Sequence, residues 1–260
     1  MKICVASAHV QCEEDPIGWD VNRAQLWQEL QWKFLKETTT SQIEYYVIAN
    51  ALDPKPFEKY ADGVLHIPNK SSHSTCLKEI LTLFATSNCT HCLLLDSDCW
   101  PIREDWDTML REHCRNYRFA APIRTENLDV FPHPCSVFFP KSSLSDLDFG
   151  FTPSKNLLGN SNSDVGSALT MDGCYPLMKT NYISPHPVYA SIYGDMFYHH
   201  CAGSRGTGVR CADYYRHMIS LPQQRKIYLK ITQQLRKNPK KFIDALRGVQ
   251  SRVSNSAVKI

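Results

Sequence analysis

Cys92-Leu93-Leu94-Leu95 is an unbroken apolar run of four residues that ends abruptly in Asp96-Ser97-Asp98. A run this short and this apolar fits a strand buried on both faces, which occurs where helices cover both sides of a parallel sheet. The residues before it agree. Lys2–Ala8 reads as a first strand. Leu26, Trp27, Leu30 and Phe34 recur at helical spacing between Arg23 and Lys36. Ile43–Ala49 is rich in β-formers and reads as a strand ending at Asn50. After the Pro-containing stretch Asp53–Pro56 comes a short strand, Gly63–Ile67. Ser71–Ser87 reads as a helix with Leu77, Ile80, Leu81 and Phe84 on one face and Ser72 or Ser74 as its cap. Alternating strands and helices predict an α/β fold, a Rossmann-type three-layer sandwich with a mostly parallel central sheet.

Composition narrows the class further. Of 260 residues, 43% are hydrophobic and 21% charged, which excludes fibrous and disordered chains. Five Trp, twelve Tyr and eleven Phe can fill a sizeable core. No apolar run approaches the roughly 18 residues of a membrane span. The apolar stretch at the N-terminus is too short for a signal peptide and reads as the first strand. A cytoplasmic, reducing location with free thiols is therefore expected for the eleven cysteines. Cys89-Thr90-His91-Cys92 has CxxC spacing but no second pair to complete a zinc site, and core packing is the expectation for it.

The middle of the chain is less regular. Phe119–Ile123 and Cys135–Phe139 read as strands, and Val188–His200 as another. Asp148–Ser163, rich in Gly, Asn, Ser and Pro, reads as a loop over a site, and Ser163–Thr170 as the start of a helix. Past Leu221 two helices are expected, the second opening with Asn238 as cap and Pro239 at the first helical position. Residues 221–260 hold ten Lys/Arg against one Asp, a local charge of +9 that leaves −6 on the first 220 residues. A mildly acidic body over 1–220 and a basic helical extension over 221–260 follow. The extension suits either packing of Ile227, Ile231 and Phe242 on the body or peripheral contact with anionic lipid head groups. No nucleic-acid motif accompanies the charge.

The chemistry centres on Asp96 and Asp98. In extended backbone, residues i and i+2 point the same way, so both carboxylates can face one point beyond the carboxyl end of the sheet, where open α/β sheets bind ligands. Hard oxygens suit Mg²⁺ or Mn²⁺ with a substrate phosphate completing the shell. A second segment, Tyr198-His199-His200-Cys201-Ala202-Gly203-Ser204-Arg205, offers imidazoles that favour Mn²⁺. It also offers glycines that admit an anion, together with Gly206 and Gly208, and an Arg205 fork for phosphate oxygens. Strand alternation puts His199 and His200 on opposite faces, so one of the two is expected at the metal.

His73-x-x-x-Leu77, a helix, then Leu93-Leu94-Leu95-Asp96-Ser97-Asp98-x-x-Pro101 resembles the GT-A-type nucleotide-sugar glycosyltransferases, in particular their family-2-like group. The resemblance covers roughly residues 2–210. It implies a GT-A-like catalytic domain in which Asp96 and Asp98 hold a divalent metal on the donor diphosphate. It implies, too, a third ligand from His199 or His200, with the Gly-Ser-Arg segment near the phosphates. Asn162-Ser163-Asp164-Val165-Gly166-Ser167-Ala168-Leu169 is similar to the segment that begins an acceptor-side helix in related enzymes. It makes Asp164 the candidate base for an inverting transfer, with Asp195 and Asp172 as rivals. On this reading the nucleotide lies over Ala6, Ser7, Ala8 and Asn50. His73 at a helix N-terminus meets phosphate, and Ser97 faces the donor. Trp100 and Trp106 serve as core or as stacking surfaces. The acceptor is a glycan or a lipid-linked glycan.

Two other readings remain. A sugar-phosphate nucleotidyltransferase usually has a Gly-rich loop after the first strand, and Ala6-Ser7-Ala8-His9-Val10-Gln11 contains no Gly. A non-catalytic sugar- or lipid-surface-binding protein could share the fold.

Overall fold

The predicted alternation forms. The computed structural model describes residues 1–10, 23–127, 131–147, 169–181, 186–201 and 219–257. In chain order the elements are β1 (Lys2–Val10), α1 (Arg23–Thr38), β2 (Gln42–Asn50), β3 (Gly63–Ile67), α2 (His73–Thr86), β4 (His91–Asp96), β5 (Cys99–Pro101), α3 (Trp106–His113), β6 (Phe119–Ile123), β7 (Ser136–Pro140), β8 (Cys174–Met178), β9 (Ser191–Tyr193), β10 (Phe197–His199), α4 (Leu221–Lys237) and α5 (Pro239–Ala257). The loop expected over 148–163 and most of the helix expected from Ser163 lie outside the described residues.

A seven-stranded sheet runs β3-β2-β1-β4-β7-β6-β8. Its first four strands are parallel, β7 is antiparallel to both neighbours, and β8 is parallel to β6. The alternation of β4 explains the layering. Leu93 and Leu95 face a core with Ile3, Val47, Leu35 of α1 and Leu110 of α3. Cys92 and Leu94 face the other core, with Leu77, Ile80 and Phe84 of α2. Two helical layers therefore sandwich the sheet, and an all-apolar run suits a strand covered on both faces. Ser72 caps α2 by accepting from the Thr75 N–H at 3.2 Å.

Val188–His200 departs from the single strand its alternation suggested. It folds into two short strands, β9 and β10, which with β5 form a separate three-stranded sheet in the order β5-β10-β9. The turn between them has positive φ at both Gly194 (60°) and Asp195 (57°) and closes with Met196 N–H donating to the Tyr193 carbonyl at 2.9 Å. A Cβ on Gly194 would come within 2.9 Å of Leu177. Gly-Asp between two β-rich pairs is a hairpin signal that outweighs the alternation around it.

This small sheet rests on α1 on one side and on the C-terminal helices on the other. Trp27, Leu30 and Phe34 join Trp100, Ile192, Tyr198, Tyr228, Ile231, Leu235 and Ile243 in a third core. The helical extension is thus packed on the body, as one of its two readings held. Asn238 caps α5 by accepting from the Lys241 N–H at 3.0 Å. No helix among the described residues is long and apolar enough to cross a membrane. The nine described cysteines are all free. Cys92 lies in the core, where burial pushes its thiol up to about 12.

His9 gives the fold an acid-sensitive point. It is fully buried, its Nε2 lies 3.0 Å from the Ser7 hydroxyl, and burial pushes its pKa down to about 4. The folded value is below the unfolded one, so the unfolded chain takes up the proton first. The stability this group contributes is intact above about pH 6.5 and lost as pH falls toward 4, a difference of about 3 kcal/mol. Urea melts at pH 7 and pH 4 should show this loss, and His9→Gln should shrink it.

Candidate metal centre

Strand β1 has β2 on one side and β4 on the other, so the crevice between β1 and β4 at their carboxyl ends is the point where strand order reverses. Asp96 is the last residue of β4 and pairs in register with Ala8 of β1. The turn after it carries Ser97 and Asp98, both buried. A buried amide fixes this turn: Gln31 of α1 donates from Nε2 to the Asp96 carbonyl at 2.6 Å and to the Cys99 carbonyl at 2.8 Å. Gln31 Oε1 accepts from Tyr45 OH at 2.8 Å, Tyr45 OH lies 3.3 Å from Ser7 Oγ, and Ser7 reaches His9. On the other side Asp96 N–H donates to the Cys135 carbonyl at 2.9 Å. Gln31 and Cys135 therefore hold the backbone of the turn directly, and Tyr45 of β2 and Ser7 of β1 hold Gln31 in place.

The small sheet delivers the third group. His199 of β10 pairs in register with Cys99 and is almost wholly buried. Its Nε2 lies 3.5 Å from Asp98 Oδ1 and 3.7 Å from Asp96 Oδ2. One ligand atom from each of the three residues lies within 4.8 Å of the others. Neighbouring ligands of an octahedral ion with bonds of about 2.1 Å are about 3 Å apart, and opposite ones about 4.2 Å. The observed spacings suit a divalent cation after small side-chain shifts. Two carboxylates and one imidazole are a donor set for Mn²⁺ or Mg²⁺, and the imidazole favours Mn²⁺.

The electrostatics agree with a cation site. Burial pushes the Asp96 carboxyl up from its ordinary value, against the pull of His73 and His199. Burial alone would lower His199, but Cys201, Cys135 and Asp98 outweigh it and hold its pKa well above the ordinary imidazole value. Positive charge is thus favoured where these groups meet.

His200, the other candidate ligand, faces away. Its Nδ1 lies 2.8 Å from Tyr198 OH and its Nε2 2.9 Å from Thr232 Oγ1 of α4, with Trp27 and Tyr228 against its ring. Alternation along β10 explains why only one histidine reaches the carboxylates. His199 itself is held from behind, its Nδ1 3.3 Å from Cys201 Sγ. Cys201 has φ 65°, a strained value for a residue with a Cβ. Cys201→Gly should relax that backbone while releasing the imidazole. We expect Mn²⁺ affinity, read by electron paramagnetic resonance, to fall about tenfold with no loss of thermal stability, and Cys201→Ser to retain most of it.

Other expected residues are placed variously. His73 is the first residue of α2, half-exposed, with Nε2 3.6 Å from Asp96 Oδ1. Asn50 instead clamps the chain entering α2: its Oδ1 accepts from Ser71 N–H at 2.9 Å and its Nδ2 donates to the Ser71 carbonyl at 2.8 Å. That use of the amide leaves it positioning His73 rather than presenting a free edge to a base. Ser7 and Ala6 are fully buried, Ser7 in the Gln31 network and Ala6 in the core against α2; Ala8 is partly buried beside Asp96. Trp100 and Trp106 are core. Asp164 and Arg205 lie outside the described residues. Of the rival bases, Asp172 precedes β8 at the sheet edge opposite Asp96 and pairs with Arg118. Asp195 accepts a two-pronged contact from Arg247, both at 2.9 Å.

One group escaped the sequence reading. Arg124, Glu126, His133 and Tyr193 form a buried polar cluster beyond the carboxyl end of β6. Arg124 Nη1 lies 2.7 Å from His133 Nε2, Tyr193 OH donates to Glu126, and the His133 and Tyr193 rings lie 6.0 and 6.3 Å from that of His199. Arg124-Thr125-Glu126 follows the apolar strand Phe119–Ile123 as Asp96-Ser97-Asp98 follows Leu95. The same strand-end rule would have found it.

No family model matches the chain, and no curated protein matches it. Fold and site together define a Rossmann-like three-layer α/β protein with a candidate divalent-metal group, Asp96, Asp98 and His199, at the switch point of its sheet.

Proposed function

We propose that this chain is a metal-dependent glycosyltransferase of GT-A type. It would transfer a sugar from a nucleoside-diphosphate sugar to an acceptor hydroxyl on a glycan or lipid-linked glycan, with inversion. The observation that carries the reading is the meeting of two carboxylates and one imidazole at the crevice where β1 and β4 diverge.

A divalent cation held by Asp96, Asp98 and His199 would supply positive charge against a departing diphosphate. The chain's own residues do the rest. Gln31 and the Cys135 carbonyl fix the turn, so the carboxylates need little reorganisation when a ligand enters. His73 stands at the N-terminus of α2, where helix N–H groups favour an anion, within 3.6 Å of Asp96. Asp164 is our candidate for the base that takes the acceptor proton, and Arg205 for a fork onto phosphate oxygens.

The test is a panel of nucleotide sugars incubated with the chain and Mn²⁺, scored for free nucleoside diphosphate and for pyrophosphate. Metal-dependent release of nucleoside diphosphate supports the reading. Pyrophosphate release would assign a nucleotidyltransferase instead, and tight binding without turnover a carbohydrate-binding protein.

A further inference from the structure

The apolar side chains of α4, and those of α5 as far as Leu246, pack inside the molecule. Tyr228, Ile231, Leu235, Ile243 and Leu246 are all buried against α1 and the small sheet. What the pair offers outward is charge. Arg225, Lys226, Lys230 and Lys237 of α4 and Lys240 and Lys241 of α5 are all exposed. No ion pair among the described residues involves any of these six, although pairs abound elsewhere on the surface. At 100° per residue, the four on α4 fall within about 140° of arc, on the side away from Tyr228, Ile231 and Leu235. Such a concentration of like charge opposes folding through self-repulsion and contributes nothing to the core. The other 220 residues carry a net −6, so the molecule is an electrical dipole with its positive pole on these helices.

We propose that the outer face of α4 and α5 is a docking surface for an anionic lipid bilayer, with the protein adsorbed by charge alone and no side chain inserted. With Arg236, also exposed, the face carries seven cations of which five are lysines, compact point charges suited to a diffuse array of head groups rather than to forked recognition of single phosphates. The aromatic residues of the pair, Tyr228 and Phe242, pack inward on Tyr189 and Tyr198, so no platform remains for stacking bases. A helix that lay within the bilayer interface would need its apolar face, and among the described side chains that face is occupied from Tyr228 to Leu246. The inference is independent of the metal centre.

The full chain should be sedimented with vesicles of phosphatidylcholine alone and with vesicles containing about 30% phosphatidylglycerol. We expect co-sedimentation with the anionic vesicles only, and release at about 0.5 M NaCl, where charge interactions are screened. The triple variant Lys226→Glu, Lys230→Glu, Lys237→Glu should bind about a hundredfold more weakly, about fivefold per lysine. It should keep its circular dichroism, its melting temperature and its Mn²⁺ affinity. Equal binding to neutral vesicles, salt-resistant binding, or tighter binding to a single-stranded oligonucleotide than to the anionic vesicles would overturn the proposal.

Discussion

If the chain is the glycosyltransferase proposed above, Asp98→Asn should cut its metal-dependent turnover about a thousandfold while leaving the fold intact. The substitution keeps the shape of a buried side chain and removes one of the two negative charges facing His199 Nε2. An amide oxygen is a much poorer ligand than a carboxylate, so Mn²⁺ affinity should fall by about a hundredfold or more. Release of nucleoside diphosphate from the donor should fall by about a thousandfold, the scale of losing charge stabilisation on a leaving group. Electron paramagnetic resonance of bound Mn²⁺ and a coupled nucleotide assay read the two effects separately. A variant that binds Mn²⁺ and turns over donor at the normal rate would remove Asp98 from the site and the glycosyltransferase reading with it. Loss of turnover with normal Mn²⁺ binding would place the ion elsewhere.

Trp100→Ala should cost about 4 kcal/mol, the range for deleting a large buried aromatic side chain. Trp100 is fully buried and lies against Trp27 and Phe34 of α1 and Tyr198 of β10, with ring centroids at 6.1, 6.1 and 5.0 Å. It is the hub where α1, the small sheet and the C-terminal helices meet. Its Nε1 has no hydrogen-bond partner among the described residues, so Trp100→Phe should cost far less, because it also removes a buried unpaired donor. Denaturant titration distinguishes the two variants. Equal costs for Ala and Phe would mean that ring volume is not what Trp100 contributes. Because Trp100 sits two residues after Asp98 and opposite Tyr198 in the β5–β10 ladder, the Ala variant should lose Mn²⁺ affinity as well.

Much of this architecture was legible beforehand because local physics decided it. A four-residue apolar run between turn signals fits a strand buried on both faces, and carboxylates just past its end then face the rim of the sheet. Asn238-Pro239 marked a helix start, and the structure begins α5 at Pro239. Other features depended on long-range partners. Whether His199 or His200 turned toward the carboxylates was set by pairing with β5, which the short Cys99–Pro101 segment did not announce. Gln31 carries no signal of its own in the sequence, because only the fold brings it to the carbonyls of Asp96 and Cys99. Asn50 read as a strand-end donor or acceptor awaiting a base, but the chain entering α2 had already taken it. The hairpin at Gly194-Asp195 was readable and was masked by the alternation on either side.

The third ligand comes from a sheet that is itself wedged against the last helices, through the contact of His200 with Thr232. During synthesis, a nascent chain that has emerged only as far as β8 carries both aspartates and His73 yet lacks His199, the third member of the triad. Capture of a divalent cation by all three groups would therefore wait on the pairing of β10 with β5, and the packing of that sheet on α4 would hold the completed triad in place.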